Sequence, residues 1–80
     1  MPAPRFKIDE RRRVRRRLKT QGGSDVEANE VLRIVEIIPI GQKNPSYLYI
    51  LVRAEVEEPS SHDKVALKHR EVMNQTCQLS

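Results

Sequence analysis

Six arginines occupy seven consecutive positions, interrupted only by Val14, and no other group of side chains in the chain indicates a chemistry as clearly. Guanidinium groups at this density repel one another, so a partner has to supply the compensating negative charge. The planar guanidinium forms paired hydrogen bonds with phosphates and guanine edges and stacks on bases. The predicted nucleic-acid-binding residues are the cations of this run: Arg11, Arg12, Arg13, Arg15, Arg16, Arg17 and Lys19.

The charge of the 80-residue chain is +4 in total but is distributed unevenly. Residues 5–19 carry nine basic and two acidic side chains, a net charge of +7, whereas the other 65 residues carry six basic and nine acidic ones, a net charge of −3. This asymmetry predicts a polyanionic partner, with an acidic protein surface as an alternative. The competing interpretation is that the arginines pair with acids of the same chain, namely Glu27, Glu30, Glu55, Glu57 and Glu58.

Local signals around the run predict a helix from Asp9 to about Gln21. Asp9 is a suitable N-cap, and Gly22-Gly23 is a suitable end. Val14 and Leu18 give this helix only a narrow apolar stripe, so it would be marginal in isolation. Residues 11–19 would span about 13 Å as a helix, a length that fits a nucleic-acid groove about 12 Å wide.

The segment Asp9–Lys19 resembles the arginine-rich RNA-binding peptides of lentiviral regulators and phage antiterminators. The resemblance implies a short basic helix that becomes ordered on a structured RNA, and it favours RNA over DNA as the ligand. The same composition fits a nuclear import signal. Because Phe6 is the nearest aromatic residue and none is interleaved with the arginines, base stacking on a single strand is disfavoured.

The rest of the chain predicts a small α+β fold. Tyr47–Glu57 alternates as a strand, and Gly41–Ser46 has the composition of a turn. Ser24–Ile40 fits either a strand, by its β-branched residues, or a helix, by its spacing; a strand would complete an antiparallel hairpin. A C-terminal helix is expected from Ser60 or Ser61 to about Asn74.

The predicted organisation is a basic N-terminal arm, residues 1–23, followed by a small α+β domain, residues 24–80. Short end strands at Arg5–Ile8 and Thr76–Leu79 would give the order βαββαβ of ferredoxin-like domains. The basic helix fits that order poorly, because a helix packed on a sheet needs a broader apolar face.

Enzymatic and metal-dependent functions are not predicted. His62 and His69 are seven positions apart, Cys77 is the only cysteine, and the sequence places no nucleophile beside a base. We therefore assign no catalytic residues, no metal ligands and no cofactor. The sequence shows no apolar secretory segment and no apolar run long enough to cross a membrane, so we expect a cytoplasmic or nuclear location and no membrane partner.

The first hypothesis for the function is therefore a small nucleic-acid-binding protein or an accessory subunit of a ribonucleoprotein. The second hypothesis is a protein interaction module or assembly subunit, which binds a protein partner or forms a homo-oligomer. A partner would dock on the edge of the hairpin or on Tyr47 and Tyr49, with the basic arm serving nuclear import or binding an acidic groove. So small a core gains from burial against another chain.

Overall fold

The computed structural model describes residues 6–41, 46–58 and 60–78. Among these residues strands predominate and helical turns are few, so the fold is mostly antiparallel β. In chain order the elements are β1 (Arg11–Val14), β2 (Leu18–Lys19), β3 (Asp25–Val26), β4 (Val31–Ile40), β5 (Ser46–Arg53), a 3-10 turn (Ser61–Asp63), β6 (Val65–Lys68), α1 (His69–Gln75) and β7 (Thr76–Gln78).

Five of the strands form one curled antiparallel sheet in the order β6-β5-β4-β1-β7, and β2 and β3 form a separate two-stranded ribbon. β1 therefore lies between β4 and β7, and strands from both sides of residue 23 pair in one sheet. The predicted α+β fold with a basic N-terminal helix is wrong, and so is the ferredoxin-like order, because its first helix is replaced by β1, β2 and β3.

The arginine run begins as a strand because pairing on both sides outweighs its local helix signals. Arg12 lies opposite Leu32 on β4, and Arg13 lies opposite Cys77 on β7. Along β1 the side chains alternate between exposed and buried, with Arg12 and Val14 buried. With the two-residue period of a strand, Arg12 and Val14 face inward and Arg11 and Arg13 face outward.

The β4–β5 hairpin resolves the ambiguity of Ser24–Ile40 in favour of strand over residues 31–40. The register shifts between Ile34 and Glu36, so Val35 forms a bulge. A bulge bends its strand and increases the local twist, which is consistent with the curl of the sheet. The central positions of the predicted turn, 42–45, lie outside the described residues.

The predicted C-terminal helix is present only in its second half. Val65 and Leu67 are buried and alternate with more exposed neighbours in β6, so this part of the segment pairs with β5 instead. Helix α1 then buries Val72, and β7 forms the short strand expected near Thr76. At the other end of the chain, residues 6–8 are not a strand, and Arg5 and Leu79 lie outside the described residues.

The core lies inside the curl of the sheet. It combines residues of β1, β4, β5 and β6 with one residue of α1 and with residues of the ribbon and of the N-terminal segment. Its members are Phe6, Val14, Leu18, Val26, Leu32, Ile34, Tyr49, Leu51, Val65, Leu67 and Val72.

The loop of the β2–β3 ribbon packs closely against the 3-10 turn. The backbone N–H of Gln21 donates to the carbonyl of Lys64 (2.9 Å), and that of Gly22 donates to the carbonyl of His62 (3.3 Å). A Cβ atom at Gly22 would lie 2.7 Å from the Cβ of His62 and 3.0 Å from its Cα. Gly22 is therefore required by the close approach of two chain segments.

We expect Gly22→Ala to lower the free energy of unfolding by about 1–3 kcal/mol, because the added methyl group overpacks this contact. Urea denaturation measures the loss. The double variant Gly22→Ala/His62→Gly removes the nearest clashing atoms and should recover part of it. Equal stability of Gly22→Ala and the wild type would contradict the described packing.

Candidate polyanion interface

Six cations of the run are exposed, and we call them the basic strip: Arg11, Arg13, Arg15, Arg16, Arg17 and Lys19. Arg11 and Arg13 project from the outer face of β1, opposite to the core. The next three arginines follow in the bend after β1, and Lys19 is on β2. The structure thus exposes six of the seven predicted nucleic-acid-binding residues along residues 11–19, between buried positions 12, 14 and 18.

The backbone of the strip is held in place on both sides. The N–H of Val14 donates to the carbonyl of Glu30, and the N–H of Arg15 donates to the carbonyl of Gln75, both at 2.8 Å. Arg11 and Arg13 are two residues apart on a strand, a spacing of about 6.6 Å along the chain. The sheet therefore fixes the positions from which these two guanidinium groups project.

Little of the positive charge of the strip is neutralised within the molecule. Arg17 pairs with Glu27 at 3.2 Å, and both side chains are more than half exposed, so this surface pair contributes little free energy. Glu30 pairs with Arg53, which is not in the strip. Within the described ranges, the other five cations of the strip have no acid within ion-pair distance.

Arg12 is the exception among the seven predicted residues, because its residue exposure is only 7%. Its Nε donates to Oγ1 of Thr76 at 2.7 Å, and its Nη1 lies 3.0 Å from Oε2 of Glu10. The guanidinium carbon lies 4.5 Å from the centre of the Phe6 ring, a cation–π distance. Arg12 therefore acts inside the fold and is not available to a phosphate.

The two tyrosines predicted as protein-interaction residues face the core side of β5. Tyr49 is fully buried, with its ring centroid 5.2 Å from that of Phe6 in an edge-to-face arrangement and 6.1 Å from that of His69. Tyr47 is half-buried and packs against the core. Tyr49 thus stabilises the interior, and the pair does not form an exposed aromatic patch.

The rest of the described surface offers no site with a more specific chemistry. Among residues 6–41, 46–58 and 60–78, no three His, Cys, Asp or Glu side chains are grouped so that they could hold a metal ion. A shallow groove of about 200 Å³ is lined by Glu30, Val31, Arg53, Ala54 and Glu55, and it is smaller than the sites that usually enclose small ligands. No helix in the described ranges has the length and apolar character needed to span a membrane.

Comparison of the chain with protein-family models, curated proteins and solved structures finds no match. The observations that bear on function are therefore the geometry and charge of the basic strip.

We expect Arg12→Ala to lower the free energy of unfolding by about 2–4 kcal/mol, since it leaves Glu10 and Thr76 without their partner and opens space beside Phe6. Arg13→Ala is the matched control. It removes the same side chain from the exposed side of the same strand and should change stability by less than about 0.5 kcal/mol. Urea denaturation of both variants makes the comparison, and similar losses would contradict the inward placement of Arg12.

Proposed function

We propose that the protein binds the phosphodiester backbone of nucleic acids through the basic strip. The observation that carries this proposal is the exposure of six cations within nine residues, only one of which has an ion-pair partner among the described residues. Such a concentration of unpaired charge is unfavourable for the isolated protein and is relieved by a dense polyanion.

Arginine suits this ligand because its guanidinium group donates two parallel hydrogen bonds to phosphate oxygens. Each phosphate that is neutralised releases condensed counterions, which contributes binding free energy and makes affinity depend on salt. The strand conformation supports contacts of this kind, since alternate side chains of β1 point to the same side. Contacts to the backbone position a protein on nucleic acid but do not read sequence.

The choice between RNA and DNA is open in this proposal. The preference for RNA relied on the resemblance to helical arginine-rich peptides, and the run forms a strand and a bend instead. Structured RNA and duplex DNA therefore enter the test as equal targets.

Binding of a labelled duplex of about 20 base pairs should weaken steeply with salt. With six cations engaged, the slope of log K against log[salt] on the duplex is expected at roughly −5. The variant Arg11→Gln/Arg13→Gln should reduce the size of this slope by about 1.8 and weaken binding at every salt concentration. Fluorescence anisotropy over a salt series, repeated with an RNA hairpin, measures both quantities.

The matched control is Lys68→Gln/Arg70→Gln, which removes two exposed cations outside the strip. It should change the slope by much less than the Arg11/Arg13 variant does. A wild-type slope near −1, or equal losses in the two double variants, would contradict the proposed function.

A further inference from the structure

The chain that follows β5 folds back over the outer face of the sheet. Arg33 lies on β4 between two buried core residues, so its side chain points to this outer face. Its Nη2 donates to the carbonyl of Val56 at 3.0 Å. The N–H of Ala54 donates to the carbonyl of Val31, also at 3.0 Å, so the segment remains beside the start of β4.

This contact brings an acidic stretch next to the basic strip. Glu55, Glu57 and Glu58 are exposed, and we call the stretch Glu55–Glu58 the acidic segment. Arg33, which binds the carbonyl of Val56, is directly opposite Arg11 on the neighbouring strand.

A second contact places the start of the acidic segment near Arg13. Glu55 lines a groove together with Val31, and Val31 is directly opposite Arg13 on β1. Neighbouring strands are about 4.8 Å apart, so the single strand spacing between these two β4 residues and the two arginines is short compared with a Debye length of 8–10 Å.

The charges of the acidic segment are not used elsewhere in the described structure. None of the four ion pairs among the described residues includes Glu55, Glu57 or Glu58. Their negative charge therefore remains available to attract the neighbouring cations, which are Arg33 and Arg53 and, one strand away, Arg11 and Arg13. It stabilises the empty strip and repels an incoming phosphate.

We propose that the acidic segment is a built-in electrostatic competitor for the part of the basic strip formed by Arg11 and Arg13. This inference rests on the proposed function and adds to it a preference for ligands of high charge density. Repulsion from the acids opposes every anionic ligand, and a duplex outweighs it more readily because its closely spaced phosphates engage several cations at once. The segment thus raises the charge density that a ligand needs in order to bind.

The test compares two variants that change the net charge equally. Glu55→Gln/Glu57→Gln removes the two acids that flank Val56, whereas Glu36→Gln/Ser46→Lys changes exposed positions toward the far end of the β4–β5 hairpin, beyond the residues that pair with β1. The probe is a fluorescein-labelled DNA duplex of about 20 base pairs, titrated at about 50 mM and about 300 mM salt. Urea denaturation checks that both variants are folded.

At about 50 mM salt, the Glu55/Glu57 variant should bind the duplex about five-fold more tightly than the wild type, and the control less than about two-fold more tightly. The difference between the variants should largely disappear at about 300 mM, where screening is stronger. Equal gains in the two variants would overturn the competitor and leave the proposed function intact. Failure of the wild type and both variants to bind would overturn the proposed function itself.

Discussion

The burial of one guanidinium group, that of Arg12, determines how the whole arginine run is presented. Its hydrogen bonds to Thr76, its ion pair with Glu10 and its contact with the Phe6 ring satisfy a charge that would otherwise be costly to remove from water. Through these contacts the Arg12 side chain links β7 with Glu10, which precedes β1, and with the ring of Phe6. Because side chains alternate along a strand, an inward Arg12 requires that Arg11 and Arg13 point outward.

The placement of β1 beside β4 brings two arginines directly opposite each other, and the fold compensates the charge of one of them locally. Arg11 and Arg33 are directly opposite each other, and like charges in that arrangement are destabilising. Arg33 is partly compensated by Asp9 at 3.4 Å and by the carbonyl of Val56. Arg11 has no such partner within the described ranges. Arg33 is therefore stabilised within the sheet, whereas Arg11 remains available to a ligand.

Sequence patterns could predict the elements in which local and long-range preferences agree. β5 is one, since its alternation and its aromatic and β-branched residues all favour a strand, whereas the helical spacing of β4 left that segment open between strand and helix. β1 is the opposite case: Asp9 suggests a helix cap, yet it adopts a positive φ of 70° in a turn, and its N–H donates to the carbonyl of Ile34. The pairing partners of β1 lie about twenty and sixty residues away, and local spacing carries no information about them.

The sequence also could not predict which residues of a strand face the core and which face outward. On β5 the pattern separates Tyr49 and Leu51 from Ile50 and Val52, and all four are apolar enough to be buried. The structure assigns the first pair to the main core and buries the second pair on the outer face. For the candidate site, the density of arginines in the sequence identified the region. Only the strand register could distinguish the buried Arg12 from the exposed arginines.

The most direct test of this account is backbone NMR of the free protein, with amide hydrogen exchange, before and after addition of a nucleic-acid duplex. We expect β-type chemical shifts and slow exchange for the amide of Val14 without ligand, because it donates to Glu30 inside the sheet. On titration, shifts should concentrate at residues 11–19 without a change in secondary structure. Helical shifts or fast exchange across residues 11–14 in the free protein, or ligand-induced folding of this segment, would contradict a preformed basic strip.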